Sequence, residues 1–277
     1  MLQSTLYLVA TPIGNLLDIS ERAKKVLSEV DFIAAEDTRN SLKLISAYGI
    51  KKELVSYFEH NKKASGERII ARLLAGESCA LITDAGMPAV SDPGEDIVKL
   101  CAEAGITVSI VPGACAAVSA LALSALSTRK FTFEGFLPAS HSERMKELKK
   151  LEYEYRTMIF YEAPHKLRAT LLDMAEAFGG ERKISISREL TKLNEETIRT
   201  TLSGAIEIFS SKEPRGEYVL VVMGGKKQEE SKFTKLSIPE HISHYIDTGI
   251  SKKDAIKAVA KDRGVPKSEI YKYTIEY

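Results

Sequence analysis

Three loops rich in glycine and proline are the segments of this sequence best suited to hold a small molecule. They are residues 11–15 (Thr-Pro-Ile-Gly-Asn), 83–94 (Thr-Asp-Ala-Gly-Met-Pro-Ala-Val-Ser-Asp-Pro-Gly) and 111–116 (Val-Pro-Gly-Ala-Cys-Ala). Each follows an apolar run typical of a buried strand, and ligands of open α/β sheets bind beyond the carboxyl ends of the strands. In the second loop, Gly86 lets the backbone approach a ligand, and Asp84 can accept hydrogen bonds from hydroxyl or amino groups. One such loop is an ordinary turn, whereas three favour a binding cleft.

A polar run that follows the second predicted strand offers acid–base chemistry. It contains the carboxylate pair Glu36 and Asp37 beside Arg39, and such a pair can position a substrate hydroxyl or accept its proton. The same run precedes a predicted helix, so Asp37 or Thr38 is equally suited to cap that helix. The two interpretations are evenly balanced on the sequence.

The second half of the chain repeats the design of a strand followed by polar residues. Glu162 and His165 follow one predicted strand, and Arg188 and Glu189 follow another. His165 can exchange a proton near neutral pH, although a single histidine before a helix is more often a cap or a surface residue. Arg188 and Glu189 could simply pair with each other.

The composition excludes several classes of protein. The 277 residues carry 39 Lys and Arg against 38 Asp and Glu, so no field of the whole chain attracts a polyanion. Cys79, Cys101 and Cys115 lack a CxxC spacing or neighbouring histidines, so neither a disulfide framework nor a metal site is expected. The GxGxxG and GxxxxGK[ST] phosphate loops are missing. Without a signal-peptide pattern or an apolar run of roughly 18 residues, we expect a soluble cytoplasmic protein without a membrane segment.

The order of elements predicts an α/β protein with two domains and a small helical module. We expect an N-terminal α/β domain with a mainly parallel sheet at 1–113, a second α/β domain closing the cleft at 114–225, a linker at 226–236 and a basic helical module at 237–277. The strands are predicted at 6–10, 31–35, 80–83, 108–111, 131–136, 157–161, 183–187 and 217–223. The Ala- and Ser-rich stretch at 114–126 predicts a helix packed closely against a neighbour.

The C-terminal module has a charge of its own. Residues 249–273 contain seven Lys and Arg but only three Asp and Glu, a local excess of +4. Their pattern resembles a helix-turn-helix in which Ser251 and Ser268 are the N-caps. Such a helix pair with the interleaved Tyr271 and Tyr273 suits contact with a nucleic-acid backbone, and a solvated basic face explains the same charge run equally well.

Taken in order along the chain, the motifs resemble those of bacterial small-subunit ribosomal RNA methyltransferases of the tetrapyrrole methylase superfamily. The matching segments are 6–16, 34–39, 83–88, 92–94, 111–113, 134–138, 160–162, 188–192 and 216–219. The resemblance covers essentially the whole chain. It implies a two-domain homodimeric enzyme that binds S-adenosylmethionine in the cleft between its domains. The implied reaction is 2′-O-methylation of a decoding-region cytidine, cytidine 1402, of 16S rRNA within the 30S subunit.

The resemblance also implies roles for individual residues. The cofactor pocket would be lined by Pro12, Asp84, Ala85, Gly86, Cys115, Ala116, Tyr161 and Leu190. No metal is required, and the proton acceptor is not fixed by the resemblance. Asp37 and Glu162 are the candidates for it, while Arg39 and Arg188 are suited to hold phosphate or the substrate backbone. Met87 stands where relatives often have Thr or Ser, so a hydroxyl contact from that position is not expected.

Two other functions are compatible with parts of the pattern. The same scaffold methylates small corrinoid or sirohaem precursors, or a protein, but such an enzyme gains nothing from a lysine-rich helix pair. A non-enzymatic nucleic-acid-binding protein would use only the C-terminal module. It predicts that the three glycine/proline loops are merely turns and that S-adenosylmethionine does not bind.

Overall fold

The computed structural model describes residues 4–225, 236–263 and 265–274. The chain divides into two compact units, Met1–Gly225 and Lys226–Tyr277. Of the predicted linker at 226–236, only Leu236 lies within the described residues. The first unit contains two five-stranded sheets, and the second consists of short helices.

The first sheet is entirely parallel, as the alternation of strands and helices predicts. Its strands are β1 (Thr5–Val9), β2 (Phe32–Ala35), β3 (Glu53–Ser56), β4 (Cys79–Ile82) and β5 (Thr107–Val111), in the order β3-β2-β4-β1-β5. Its helices are α1 (Glu21–Glu29), α2 (Thr38–Ala47), α3 (Lys62–Leu74) and α4 (Glu95–Glu103). β2 and β4 are apolar and fully buried because helices cover both faces of the sheet. Two apolar clusters form the two sides of this core.

The second sheet is mixed. Its strands are β6 (Phe131–Phe136), β7 (Thr157–Glu162), β8 (Lys183–Arg188), β9 (Glu196–Thr201) and β10 (Tyr218–Val222), in the order β6-β7-β10-β8-β9. β6 and β7 are parallel, and the other neighbours are antiparallel. Three helices, α6 (His141–Lys150), α7 (Pro164–Phe178) and α8 (Leu202–Ser211), contribute to its larger apolar core.

The small-residue helix α5 (Ala116–Leu123) packs against the second sheet. Ala117, Ala120 and Leu121 are buried in one cluster with Ile159 of β7 and Val221 of β10. The prediction of a closely packed helix is confirmed, although the helix is shorter than the predicted stretch 114–126. Small side chains allow the close approach, and they bring the N-terminus of α5 to the loop that follows β5.

The second unit is a set of three short α-helices. They are α9 (Ile238–Asp247), α10 (Lys252–Arg263) and α11 (Lys267–Tyr271). Ser251 caps α10 as predicted, because its Oγ accepts a hydrogen bond from the Asp254 N–H at 3.2 Å. The prediction for Ser268 is wrong: the N-cap of α11 lies two residues earlier, at Pro266, whose fixed φ is suited to a helix start. No helix in the described parts of the chain is long and apolar enough to cross a lipid bilayer.

Candidate functional site

The three glycine/proline loops meet at one edge of the first sheet. β4, β1 and β5 are parallel neighbours, so their carboxyl ends lie side by side. Thr11 and Gly86 exchange two backbone hydrogen bonds of 2.9 and 3.1 Å, and the Ala10 N–H donates to the Val111 carbonyl at 3.1 Å. The expected clustering of the loops is therefore confirmed.

Two of the glycines in these loops, Gly86 and Gly113, show why the loops can approach one another so closely. Gly86 has φ of +87°, a left-handed conformation that other residues rarely adopt. A Cβ atom at Gly113 would lie 2.8 Å from the Cβ of Ala10, closer than packed carbon atoms can approach. The two glycines allow the loops after β1, β4 and β5 to pack tightly against one another.

A cavity of about 620 Å³ lies between this edge and the second sheet. It is lined by seven of the eight residues that the family resemblance assigns to the cofactor: Asp84, Ala85, Gly86, Cys115, Ala116, Tyr161 and Leu190. Pro12 is buried and does not line it. Of the four residues proposed for catalysis, Glu162 lines the cavity, whereas Asp37, Arg39 and Arg188 do not. Their roles stay predictions.

Tyr161 forms part of the cavity wall contributed by the second sheet. Its ring makes edge contacts with Phe133 and Phe136, at centroid distances of 5.0 and 5.5 Å. Burial, together with the neighbouring Cys115 and Asp92, raises the pKa of Tyr161 to about 12. The phenol is therefore protonated at neutral pH and can donate a hydrogen bond.

The carboxylate of Glu162 is buried and fully engaged within the fold. Its Oε1 accepts from the Ala163 N–H at 2.8 Å and pairs with the Lys166 ammonium at 3.1 Å. Its Oε2 accepts from the Thr170 hydroxyl at 2.5 Å. These bonds join the end of β7 to α7. A carboxylate held in this way is poorly placed to take a further proton from a substrate.

Asp37 caps α2, one of the two alternatives that the sequence leaves open. Its Oδ1 accepts from the Arg39 backbone N–H at 2.8 Å, and its Oδ2 accepts from the Arg39 guanidinium at 2.8 Å. These bonds from Arg39 lower the pKa of Asp37 to about 2. So weak a base is ill suited to accept a proton, and the pairing also occupies Arg39.

Arg188 and Glu189 do not pair with each other. The Arg188 Nε lies 3.5 Å from the Glu196 Oε2, and the Glu189 Oε1 lies 2.9 Å from the Lys192 Nζ. The sequence alternative of an Arg188–Glu189 pair is wrong, because Glu189 adopts a left-handed backbone conformation (φ +51°) in a turn that leads directly to Lys192.

Three carboxylates on loops of the first sheet line the cavity together, and none of them is Asp37 or Glu162, the two candidates for the proton acceptor. Glu36 follows β2, Asp84 follows β4, and Asp92 lies further along the loop to α4. Burial, together with the charges of Glu36 and Asp84, raises the pKa of the half-buried Asp92 to about 6. The pKa of Glu36 is raised by burial, then by Asp84 and Asp37. All three belong to the motifs already noted, but only the fold reveals their convergence.

Four residues that are not glycine have left-handed backbones close to the cavity. Ala89 and Ser91 (φ +66° and +65°) precede Asp92, while Glu189 and Thr191 (φ +51° and +66°) flank Leu190. Such conformations cost on the order of 1–3 kcal/mol each and persist where the surrounding structure imposes them, often at functional sites. Their position on both sides of the cavity supports its choice as the candidate functional site.

Within the described residues, no group of three or more His, Cys, Asp and Glu side chains has a geometry that could hold a metal ion. The candidate site is therefore defined by its carboxylates, its tyrosine and the backbone of its loops. These groups can bind a small cationic molecule and accept a proton.

The comparison with known proteins identifies the class. The family model for tetrapyrrole (corrin/porphyrin) methylases matches residues 5–206. The solved structure of a cobalt precorrin-4 methyltransferase covers 79% of this chain and 95% of its own, with a TM-score of 0.60 and 16% identity. The solved structure of a diphthine synthase covers 79% of this chain and 90% of its own, with a TM-score of 0.62 and 15% identity. The chain belongs to the tetrapyrrole methylase family.

Curated relatives indicate the branch of the family. The relative from Halalkalibacterium halodurans is 48% identical over 272 residues, which is 97% of this chain and 94% of the relative. The one from Bacillus subtilis is 48% identical over 270 residues, 96% of this chain and 92% of the relative. Both are named Ribosomal RNA small subunit methyltransferase I. The resemblance inferred from the motifs is confirmed.

Proposed function

We propose that this chain transfers a methyl group from S-adenosylmethionine to the ribose 2′-oxygen of cytidine 1402 in 16S rRNA, within the 30S subunit. The observation that carries the proposal is the acid-lined cavity between the two sheets. The names of the full-length relatives support the choice of RNA as substrate. A structural neighbour with the same fold, a uroporphyrin-III C-methyltransferase, was solved in complex with S-adenosylhomocysteine, the product that the cofactor leaves behind.

The cavity fits this cofactor in size and in chemistry. Its volume of about 620 Å³ is within the range of small-molecule sites, roughly 300–1,000 Å³. Ile13, Leu190 and Val219 supply apolar walls, and the carboxylates supply negative charge for a ligand that carries a sulfonium and an amino group. The residues that would hold it are Asp84, Ala85, Gly86, Cys115, Ala116, Tyr161 and Leu190, with Pro12 buried outside the cavity lining. When bound, the cofactor supplies an electrophilic methyl group.

A ribose hydroxyl is a weak nucleophile, so the protein must align it and accept its proton. We assign the proton acceptor to Asp92. It lines the cavity, and with a pKa of about 6 it is ionised at neutral pH while being a stronger base than an ordinary aspartate. The earlier candidates are less suitable because Asp37 lies outside the cavity lining and Glu162 is saturated with hydrogen bonds.

Three neutral variants test this assignment. With cofactor and RNA saturating, Asp92→Asn should lower turnover by about 10²- to 10⁴-fold, the usual contribution of a general base. Asp37→Asn should stay close to wild type, because asparagine still caps a helix. Turnover that survives in Asp92→Asn but is lost in a fully folded Glu162→Gln variant would return the role to Glu162.

Contact with RNA is proposed to involve the second unit. Lys253, Lys257 and Lys261 are exposed and recur every fourth residue, so they lie along one face of α10. Tyr271 of α11 is also exposed. A lysine stripe with an accessible aromatic ring suits a phosphate backbone and an unstacked base.

Two measurements, one of cofactor binding and one of methyl transfer, separate the competing functions. Calorimetric titration with S-adenosylmethionine should show binding, whereas a folded protein that does not bind it would be a non-enzymatic nucleic-acid-binding protein. Transfer of labelled methyl to 30S subunits, but not to corrinoid or sirohaem precursors, is expected of the RNA enzyme. The same proposal puts the protein in the cytoplasm, with its ribosomal substrate. The family resemblance further implies a homodimer, which light scattering coupled to gel filtration would test.

A further inference from the structure

Lys192 is the one lysine or arginine among the described residues that line the cavity. Its side chain is 31% exposed, and that of its partner Glu217 is 80% exposed, so the two lie at the rim, not in the interior. The function proposed above leaves this residue without a role.

The turn that carries Lys192 is fixed from several directions. Glu189 and Glu217 are joined by two hydrogen bonds, from the Glu189 N–H to the Glu217 carbonyl (3.0 Å) and from the Glu217 N–H to the Glu189 Oε1 (3.1 Å). The lysine stem also crosses the first loop of the other sheet, since a Cβ atom at Gly14 would collide with the Lys192 Cγ. Lys192 is therefore held against both walls of the cleft.

Among the residues that the structure describes, the Lys192 ammonium group donates two hydrogen bonds, to Glu189 Oε1 at 2.9 Å and to Glu217 Oε2 at 2.8 Å. An ammonium group has three N–H donors, so within that part of the chain one donor is left for a ligand. Partial burial lowers the pKa of Lys192, but the hydrogen bonds to Glu217 and Glu189 outweigh it and leave the pKa raised. The group stays charged at any pH at which the protein works.

Most of the charged side chains that line the cavity are acidic. Glu36, Asp84 and Asp92 line the cavity and repel phosphate. An RNA strand that presents a ribose to the cavity must therefore keep its phosphates away from these carboxylates, and among the described lining residues Lys192 is the one lysine or arginine that can bind a phosphate. A small cofactor, in contrast, can be accommodated wholly inside.

On this basis, and resting on the proposed function, we propose that Lys192 donates its third N–H to a phosphate oxygen of the RNA next to the methylated nucleotide. The contact would hold the ribose at the mouth of the cavity. Lys192 would thus be a substrate-binding residue for RNA and not for the cofactor.

The test is steady-state kinetics of Lys192→Met, which keeps the apolar stem over Gly14 and removes the donor. The KM for 30S subunits should rise about tenfold or more, as expected for one hydrogen bond to a charged group, while the KM for S-adenosylmethionine stays unchanged. The dependence of the RNA affinity on salt should weaken by about 0.7 in the logarithmic slope, the value for one phosphate of a single strand. Lys62→Met is the matched control, because Lys62 also bridges two carboxylates, at 2.8 Å each, outside the cavity lining.

Two further variants separate binding from structure. Lys192→Arg should restore most of the RNA affinity. Lys192→Met leaves the carboxylates of Glu189 and Glu217 unpaired with an ammonium group, and the double variant K192M/E217Q also removes the Glu217 carboxylate. If RNA binding depends on the N–H donor of Lys192, the double variant should not restore the RNA affinity. Recovery in the double variant, or a raised KM for the cofactor, would overturn the inference. If the wild type methylates RNA and Lys192→Met has an unchanged KM for it, this inference alone fails. If the wild type does not methylate RNA, the proposed function and this inference both fail.

Discussion

Replacing Asp92 with asparagine should make the protein more stable while it becomes less active. The folded structure raises the pKa of Asp92 from 3.8 to about 6. At about 1.4 kcal/mol for each pKa unit, reduced by roughly half because Asp92 is only half-buried and water screens its charge, the charged form costs the folded state about 1–2 kcal/mol. Because the pKa is higher in the folded than in the unfolded protein, stability falls as the pH rises from about 4 to about 6 and stays lower above that range. Asparagine carries no charge, so Asp92→Asn escapes this loss.

Thermal unfolding of the wild type and of Asp92→Asn between about pH 4 and pH 8 is the assay for this linkage. The melting temperatures should differ least near pH 4, and at pH 8 the variant should melt higher by about 2–4 °C, given about 2 °C for each kcal/mol. Asp37→Asn is the control, since the pKa of Asp37 is lowered and not raised. A difference in melting temperature that does not change with pH, or one that favours the wild type at pH 8, would refute the reasoning.

Three further predictions concern the fold, the loops and the second unit. Arg144→Ala leaves the buried Asp173 carboxylate without the guanidinium now 2.6 Å away, so urea unfolding should show a loss of roughly 3–5 kcal/mol, and an unchanged midpoint would contradict the account. Gly86→Val forces a branched residue into a left-handed conformation with Ile13 3.4 Å away, so calorimetry should show weakened cofactor binding; full affinity would show that the loop does not touch the cofactor. Deleting residues 237–277 should impair methylation of RNA and leave cofactor binding intact, whereas loss of cofactor binding in a folded truncation would contradict this division of labour.

The elements that sequence reasoning overlooked are both edge strands. β3 and β9 each form one edge of their sheet, and none of their residues is fully buried. β9 (Glu-Thr-Ile-Arg-Thr-Thr) is largely polar. An edge strand pairs with only one neighbouring strand and buries only one face, so polar side chains can occupy the rest of it. The buried strands, in contrast, are recognisable as apolar runs. The parallel first sheet follows from the alternation of such runs with helices.

The loops that form the site could be predicted from the sequence, but the pKa of Asp92 and the position of Lys192 could not. The glycines and prolines that end β1, β4 and β5 indicate a cleft, because a parallel sheet brings adjacent loops to one edge. The basicity of Asp92 was not predictable, since it depends on burial and on Glu36, which lies on another loop. The position of Lys192 at the rim depends likewise on a contact with Gly14 of the other sheet, which local sequence does not specify.

The central claim is that the protein methylates one ribose oxygen of 16S rRNA, and it is tested most directly by locating the methyl group. Purified protein is incubated with methyl-labelled S-adenosylmethionine and 30S subunits that lack the modification, and the RNA is then cleaved with alkali. A 2′-O-methyl group blocks cleavage at its own nucleotide, so the account predicts label in a single alkali-resistant dinucleotide that contains cytidine 1402. Label on a base, at many sites or on protein would contradict it.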